Sequence, residues 1–247
     1  SCVMQEGDKA RNWRSRWRWI WVWAVWMACL FHWTSYLLRW YIGGRIPLGN
    51  GHETMLFLAG FLLLCTCIWQ RRFSFLLPAG LLLSGFTLLV AYLSEMNPQI
   101  TPLMPVLLSP WLSLHVSLIM VSYALFALMC LCSILALSIR RHAWQRQRLT
   151  LFCRVLLYPA VLCLGIGIFI GAVWANVSWG SYWAWDPKEV WALITFMLYG
   201  MAFHVQSLPR FKNPYFFHWF LIVSFSAILM TYFGVNYILG GMHSYAG

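Results

Sequence analysis

Residues 174–191 read WANVSWGSYWAWDPKEVW, and five of these positions are tryptophan. The stretch also contains Tyr182 and Asp186, in a chain that has only six acidic residues. Large aromatic rings combine apolar area with a polar edge, which suits either the membrane–water boundary or a large flat ligand. A boundary belt does not explain five tryptophans around a Gly-Ser turn and an Asp-Pro-Lys-Glu step, so the stretch is a candidate binding segment.

The second half of the stretch also fits the start of a helix. Asp186 is placed to accept from amides of the next turn, Pro187 suits the first helical position, and Glu189 stands where a capping-box acid reaches back. Taken alone, Asp186 and Glu189 are explained equally well by this helix start and by a role in binding.

The composition excludes a soluble domain. The 247 residues are 62% hydrophobic, 18% aromatic and only 9% charged, which is typical of a polytopic membrane protein. The net charge of +11 does not indicate nucleic acid, because the basic residues fall in short clusters between apolar runs, as cytoplasmic loops do. The eight cysteines lie mostly within or beside apolar runs, and we infer no thiol redox role.

The apolar runs predict an all-α, polytopic membrane bundle of about seven transmembrane helices. We place the runs at about 19–38, 54–69, 73–94, 111–139, 155–176, 188–206 and 215–239. A basic arm, residues 1–18, makes the amino terminus cytoplasmic and the carboxyl terminus external. The inner segments then hold fourteen Lys and Arg and the outer ones three, as the orientation rule requires.

We expect residues 19–247 to form one domain with the segment 174–191 on its outer face. The chain begins at Ser1, as expected of a processed product or a part of a longer fusion.

The sequence from Tyr182 to Glu189, YWAWDPKE, resembles the tryptophan-rich WWD signature of the heme-handling proteins. That family includes CcsA/ResC of the system II pathway of cytochrome c maturation and CcmC and CcmF of system I. The chain is most similar to the CcsA/ResC branch, best over the fourth to seventh runs. One departure is His52, which stands where CcsA-like proteins usually carry tyrosine.

The resemblance implies a function in cytochrome c maturation. The chain would bind heme b and, as the CcsA/ResC-like half of a holocytochrome c synthase, or heme lyase, join the heme vinyl groups to the thiols of a CxxCH segment. The implied partners are a CcsB/ResB-like membrane protein, separate or fused, the apocytochrome c, thiol-reducing proteins and the lipid bilayer. The implied location is a bacterial inner membrane or a thylakoid-type membrane, with the active face outside the cytoplasm.

The resemblance also places the heme contacts on the tryptophan segment. The expected cofactor-binding residues are Trp174, Trp179, Gly180, Tyr182, Trp183, Trp185, Asp186, Pro187, Lys188 and Glu189. Lys188 is either an ion-pair partner for a heme propionate or a solvated residue at a helix start.

Two histidines are the predicted axial ligands of an outer heme iron. His115 begins the fourth run and His243 follows the seventh, so the topology puts both at the outer edge with the tryptophan segment. Imidazole nitrogens suit iron and aromatic walls suit a porphyrin. The alternative for each is an interfacial histidine bonded to headgroups or loop carbonyls.

A third histidine, His204, lies at the inner end of the sixth run, where an ionisable side chain is a functional candidate. By resemblance it is a ligand for heme taken up from the cytoplasmic side, with His218 as its competitor. We expect His32 to be an interhelical hydrogen-bond donor and His142 to be solvated. His52 is left outside the ligand set, although a position near the site stays open.

No catalytic acid or base is expected, because adding a thiol to a vinyl group calls for proximity, orientation and reduced iron. Two other functions stay open. A heme transporter or chaperone of the CcmC/CcmF type would present heme without forming the bond. A cytochrome b-like subunit would keep a permanent, redox-cycling heme.

Overall fold

The structure is a computed structural model that describes residues 2–73, 75–93, 98–100, 105–139, 143–205 and 207–239. Within those residues it contains helices and no strand. The helices are α1 (Cys2–Gly43), α2 (Gly51–Trp69), α3 (Leu76–Leu93), α4 (Pro110–Ser138), α5 (Ala143–Trp179), α6 (Pro187–Met201) and α7 (Pro214–Leu229). Two 3-10 turns, Pro105–Leu108 and Pro209–Lys212, precede α4 and α7, and a π-helix, Met230–Leu239, continues α7. The predicted all-helical class is confirmed.

Six of these helices are long and apolar enough to cross a membrane: α1 from Trp19 onward, α2, α3, α4, α5, and α7 with the start of the π-helix. The chain is therefore a multi-pass membrane protein. Helix α6 has 15 residues, or about 22 Å, less than the roughly 30 Å of a bilayer core. The predicted sixth span, 188–206, is thus shorter as a helix than expected, because the backbone leaves the helix after Met201. The orientation of the termini and the division into arm and domain stay predictions.

The most extensive helix contact is between α4 and α5, and it contains much of the core. Phe126 of α4 stacks on Tyr199 of α6 with ring centroids 3.7 Å apart, and both side chains are fully buried. Pro159 lies inside α5 without ending it. Helix α4 begins at Pro110, with Ser109 as its N-cap.

The starts of α2 and the π-helix are joined by a polar cluster. Glu53 is 1% exposed and its carboxylate accepts from Arg39 Nε at 3.2 Å and Arg45 Nη1 at 2.8 Å. One residue later, Thr54 Oγ1 lies 2.8 Å from Tyr232 Oη of the π-helix. A buried carboxylate requires such partners, so these contacts hold the end of α1, the start of α2 and the π-helix together.

Candidate functional site

The tryptophan segment, residues 174–191, has three parts. Residues up to Trp179 complete α5, residues 180–186 are not helical, and α6 begins at Pro187. Gly180 ends α5 with φ 79°, and its N–H donates to Asn176 O at 2.9 Å. A left-handed residue after the last turn is the usual helix stop. We call this end of the bundle, where α5 ends and α6 begins, the tryptophan end.

The predicted helix start at Asp186 is confirmed as a capping box. Asp186 Oδ2 accepts from Lys188 N at 3.1 Å, and Glu189 Oε2 accepts from Asp186 N at 3.3 Å. Glu189 Oε2 also accepts from Ala184 N at 2.9 Å, which ties the non-helical stretch to α6. Both acids are therefore explained by local structure, and they fix the shape of the segment.

The aromatic rings of the segment divide into buried and exposed ones. Trp174 is 2% exposed and packs edge-on against Trp179, with centroids 4.8 Å apart. Tyr182 and Trp185 are 61% and 72% exposed, and Trp183 contacts Trp185 edge-on at 6.0 Å. Trp174 thus anchors the segment in the bundle, while Tyr182 and Trp185 present ring surface outward.

The backbone at Trp185 is strained. Its φ is 58°, in the left-handed region that costs a residue with a Cβ about 1–2 kcal/mol. The capping box that follows holds the residue there. Such outliers cluster at functional sites, because a ligand can use the side chain that the strain positions.

Lys188 provides a cation beside these rings. It is half-buried at the first turn of α6 and lies outside the six candidate spans. Burial lowers the pKa of Lys188 to about 8, and the Asp186 carboxylate opposes that shift. A cation short of water is stabilised by an added anion such as a carboxylate.

His115 is held against α5 near the tryptophan end. Its Nδ1 lies 2.7 Å from the carbonyl oxygen of Gly167, and the ring also packs on Gly171. Gly171 precedes Trp179 by eight residues, or about 12 Å of helix. The structure therefore brings His115 and the tryptophan segment to the same end of the bundle. The predicted second ligand, His243, lies outside the described residues.

His204 lies at the opposite end of α6, in the turn that follows Met201, and its side chain is exposed. His204 N donates to Met201 O, and its own carbonyl accepts from Leu208 N. Met201 and Leu208 also line a groove of about 340 Å³, together with Pro209, Arg210, Phe211, Phe216 and Phe220. His204 thus stands beside an apolar groove with one arginine, well separated from the tryptophan end.

The competitor of His204 is a core residue. His218 is fully buried, with Nε2 2.9 Å from Thr150 Oγ1 and Nδ1 3.0 Å from Ser133 Oγ. Both ring nitrogens are thus occupied by hydroxyls, so His218 is not placed to bind iron. The expectation for His32 is confirmed, since its Nε2 lies 2.9 Å from Leu56 O of α2.

The two remaining histidines of the chain are His52 and His142. His52 lies in the first turn of α2, and its Nδ1 is buried without a hydrogen-bond partner among the described residues. His142 lies outside the described residues.

The sequence of this chain matches the family described as Cytochrome C assembly protein over residues 48–243. The chain belongs to the cytochrome c assembly protein family. It is 39% identical over 229 residues to Protein NrfI of Wolinella succinogenes, covering 90% of this chain and 25% of that protein.

The resemblance to CcsA is also confirmed. The chain is 36% identical over 228 residues to cytochrome c biogenesis protein CcsA of Chlamydomonas reinhardtii, covering 85% of this chain and 63% of that protein. It is 31% identical over 241 residues to CcsA of Guillardia theta, covering 84% of this chain and 79% of that protein. This family member thus spans a quarter of NrfI and less than two thirds of the Chlamydomonas protein.

The sequence reasoning missed the glycines that receive His115. Gly167 and Gly171 form a small-xxx-small pattern within an apolar run, GIFIG, which is typical of close helix packing in membranes. That pattern indicated a close neighbour for α5, but it did not say which residue the neighbour would bring.

Proposed function

We propose that this family member binds heme b at the tryptophan end and serves cytochrome c maturation as the CcsA/ResC-like half of a heme lyase. His115 and His243 would ligate the iron, and the exposed rings of Tyr182 and Trp185, with the half-buried Trp183 beside them, would hold the porphyrin. The observation that carries the proposal is the fixed imidazole of His115 beside that aromatic segment. Family membership supports the same function.

The residues of the segment suit a porphyrin that carries two carboxylates. Lys188 supplies a half-buried cation whose lowered pKa reflects poor hydration, so a propionate would stabilise its charged form. Trp174 and Trp179 pack edge-on against each other where α5 ends, next to the non-helical stretch that carries the outward-facing rings. Gly180, Asp186, Pro187 and Glu189 would contribute by fixing the backbone rather than by touching the ring.

The reaction would join each thiol of a CxxCH segment to a heme vinyl group. The S–H bond adds across the C=C bond, with sulfur bonding to one carbon and hydrogen to the other, so no oxidant is consumed. The protein would contribute by holding the vinyl groups where the thiols of the apocytochrome arrive. Thiol-reducing proteins would keep those thiols available.

A second heme position is proposed at the opposite end of α6. His204 stands next to the groove that contains Arg210 and three phenylalanines, which suits an apolar ring with an anionic edge. Heme would be taken up there from the cytoplasmic side, with a second histidine from a CcsB/ResB-like partner. The proposed location is a bacterial inner membrane or a thylakoid-type membrane, with the tryptophan end outside the cytoplasm.

The test is to co-express the chain with a CcsB-like partner, purify the complex and record its visible spectrum. His115→Gly or His243→Gly should remove the low-spin heme signal, and added imidazole should restore part of it. His142→Gly, in the predicted inner loop, is the matched control and should leave the spectrum unchanged. An unchanged spectrum in both ligand variants would show that the assigned ligands are wrong.

The same complex separates a lyase from a carrier. Incubation with a CxxCH peptide should give heme that stays with the peptide after acid extraction, because a thioether survives that treatment. A chaperone of the CcmC/CcmF type would transfer heme that is still extractable.

A further inference from the structure

Helix α5 presents two glycines to α4, and each receives a different side chain. A Cβ on Gly171 would lie 2.6 Å from both Cε1 and Nδ1 of His115. A Cβ on Gly167 would lie 2.8 Å from Cδ1 of Ile119. His115 and Ile119 are four residues apart on α4, as the glycines are on α5, so the two pairs form successive steps of one contact. We call this contact the glycine notch.

The notch is specific to this face of α5. Gly165, two residues earlier, faces α6 instead, where a Cβ would lie 3.0 Å from Cε2 of Phe196. Elsewhere, a Cβ on Gly85 in α3 or Gly200 in α6 would meet no other part of the described chain within 4 Å. Gly60 of α2 also receives a histidine ring, His32, but that ring bonds the Leu56 carbonyl through Nε2, whereas His115 bonds the Gly167 carbonyl through Nδ1.

The hydrogen bond in the notch determines which nitrogen of His115 can ligate iron. A carbonyl oxygen accepts and cannot donate, so the Gly167 carbonyl requires that Nδ1 carry a proton. In the neutral ring Nε2 is then the nitrogen with a lone pair. Metal-binding histidines are held this way, with the second nitrogen donating to a carbonyl or carboxylate that fixes the ring and raises its basicity.

Helix α5 also relates the notch to the tryptophan segment. From Gly167 to Trp179 the helix is continuous, and Trp174 lies fully packed between them. The His115 ring is therefore held by the same helix that carries Trp174 and Trp179.

From these contacts we propose that Gly171 and the Gly167 carbonyl are positioning elements for iron ligation by His115 through Nε2. The inference rests on the proposed heme function. The absent Cβ at Gly171 lets the ring approach the helix backbone, and the carbonyl then fixes its rotation and tautomer. Any side chain at position 171 would push the ring away from both.

The test is a matched pair of substitutions in the purified complex with a CcsB-like partner. Gly171→Ala should reduce low-spin heme by about 10-fold or more, the range found for groups that orient metal ligands, and imidazole should restore it. Gly167→Ala keeps the carbonyl, and its Cβ meets Ile119 rather than the imidazole, so it should lower thermal stability and lose less heme per folded complex than Gly171→Ala. Intrinsic helix propensity favours alanine over glycine, so a loss in Gly171→Ala has a steric origin.

The controls separate this inference from the proposed function. Gly85→Ala and Gly200→Ala, which have room for a Cβ, should leave the heme content unchanged. If Gly171→Ala keeps the wild-type spectrum while His115→Gly loses it, the notch inference is wrong and the proposed function stands. The notch also fails if both notch variants lose heme in the same proportion as folded protein, because that result indicates packing alone. If His115→Gly keeps the spectrum, the ligand assignment itself is wrong.

Discussion

The two ends of the α4–α5 pair hold a histidine in opposite ways. Away from the tryptophan end, His218 of α7 fits between the helices with both nitrogens bonded to the hydroxyls of Ser133 and Thr150; we call this the closed end. Near the tryptophan end, His115 has Nδ1 bonded to the Gly167 carbonyl and is only half-buried. The His218 ring is therefore part of the core, whereas the Gly167 carbonyl sets the orientation and tautomer of the half-buried His115 ring.

The comparison teaches that depth and position on a helix do not assign a role to a histidine. Both residues lie close to the start of an apolar run, at Pro110 and Pro214. What separates them is the neighbouring helix, which offers hydroxyls to one and glycines to the other.

The largest effect should come from the anchor of the tryptophan end. Trp174→Ala would remove a side chain that is 2% exposed, and buried tryptophans typically cost about 3–5 kcal/mol when truncated. The measurement is thermal unfolding of the purified protein in detergent. Trp219→Ala, at a position 59% exposed, is the control and should change stability by less than about 0.5 kcal/mol. Equal losses in the two variants would contradict the division into anchor and presented rings.

The second-largest loss of stability should follow from a substitution at the closed end. His218→Ala leaves two hydroxyls without their partner and creates a cavity, which together cost about 2–4 kcal/mol. Heme per folded complex should stay at the wild-type level, as measured by absorbance against protein. A triple variant, His218→Leu with Ser133→Ala and Thr150→Val, replaces the whole polar network and should recover part of the lost stability. Loss of heme without loss of stability would make His218 a ligand and reverse the comparison.

At the exposed part of the tryptophan segment, stability and binding should change in opposite directions. Trp185→Gly relieves a left-handed φ of 58° and should stabilise the protein by about 1 kcal/mol, while heme retention falls. Trp185→Phe keeps a ring and should retain more heme than the glycine variant. Heme titration and thermal unfolding of the same preparations give the two quantities. A glycine variant that binds heme like wild type would remove Trp185 from the site.

The smallest effect concerns Lys188 and pH. Its pKa is lowered to about 8 in the folded state, so between about pH 8 and its ordinary pKa the unfolded chain binds more protons than the folded one. Stability should therefore rise with pH across that window in the heme-free protein. The check is the pH dependence of thermal unfolding in wild type against Lys188→Met, which should lack the rise. Bound heme should weaken the rise, because a nearby propionate favours the charged amine.

Sequence reasoning captured what local chemistry determines. The apolar runs predict the six helices that can span a membrane, and the Asp186-Pro187-Lys188-Glu189 step predicts the capping box. Gly180 lies where a left-handed stop is needed. Each of these depends on residues within one or two turns.

Sequence reasoning failed where the register between helices decides. The order of residues does not show that His115 meets Gly171, or that His218 meets Ser133 and Thr150, since those contacts join distant parts of the chain. The burial of Trp174, which stays a predicted heme contact, also depends on packing, because α5 continues to Trp179. The apolar run also does not show that α6 ends as early as Met201.

The bond between His115 and Gly167 involves protein atoms only, so it forms without a porphyrin. A protein that gives up its cargo in every cycle must receive the next molecule without rebuilding its grip. If His115 ligates heme as proposed, release and reloading would require no rearrangement of that side chain, because α5 already holds the imidazole in the orientation for ligation.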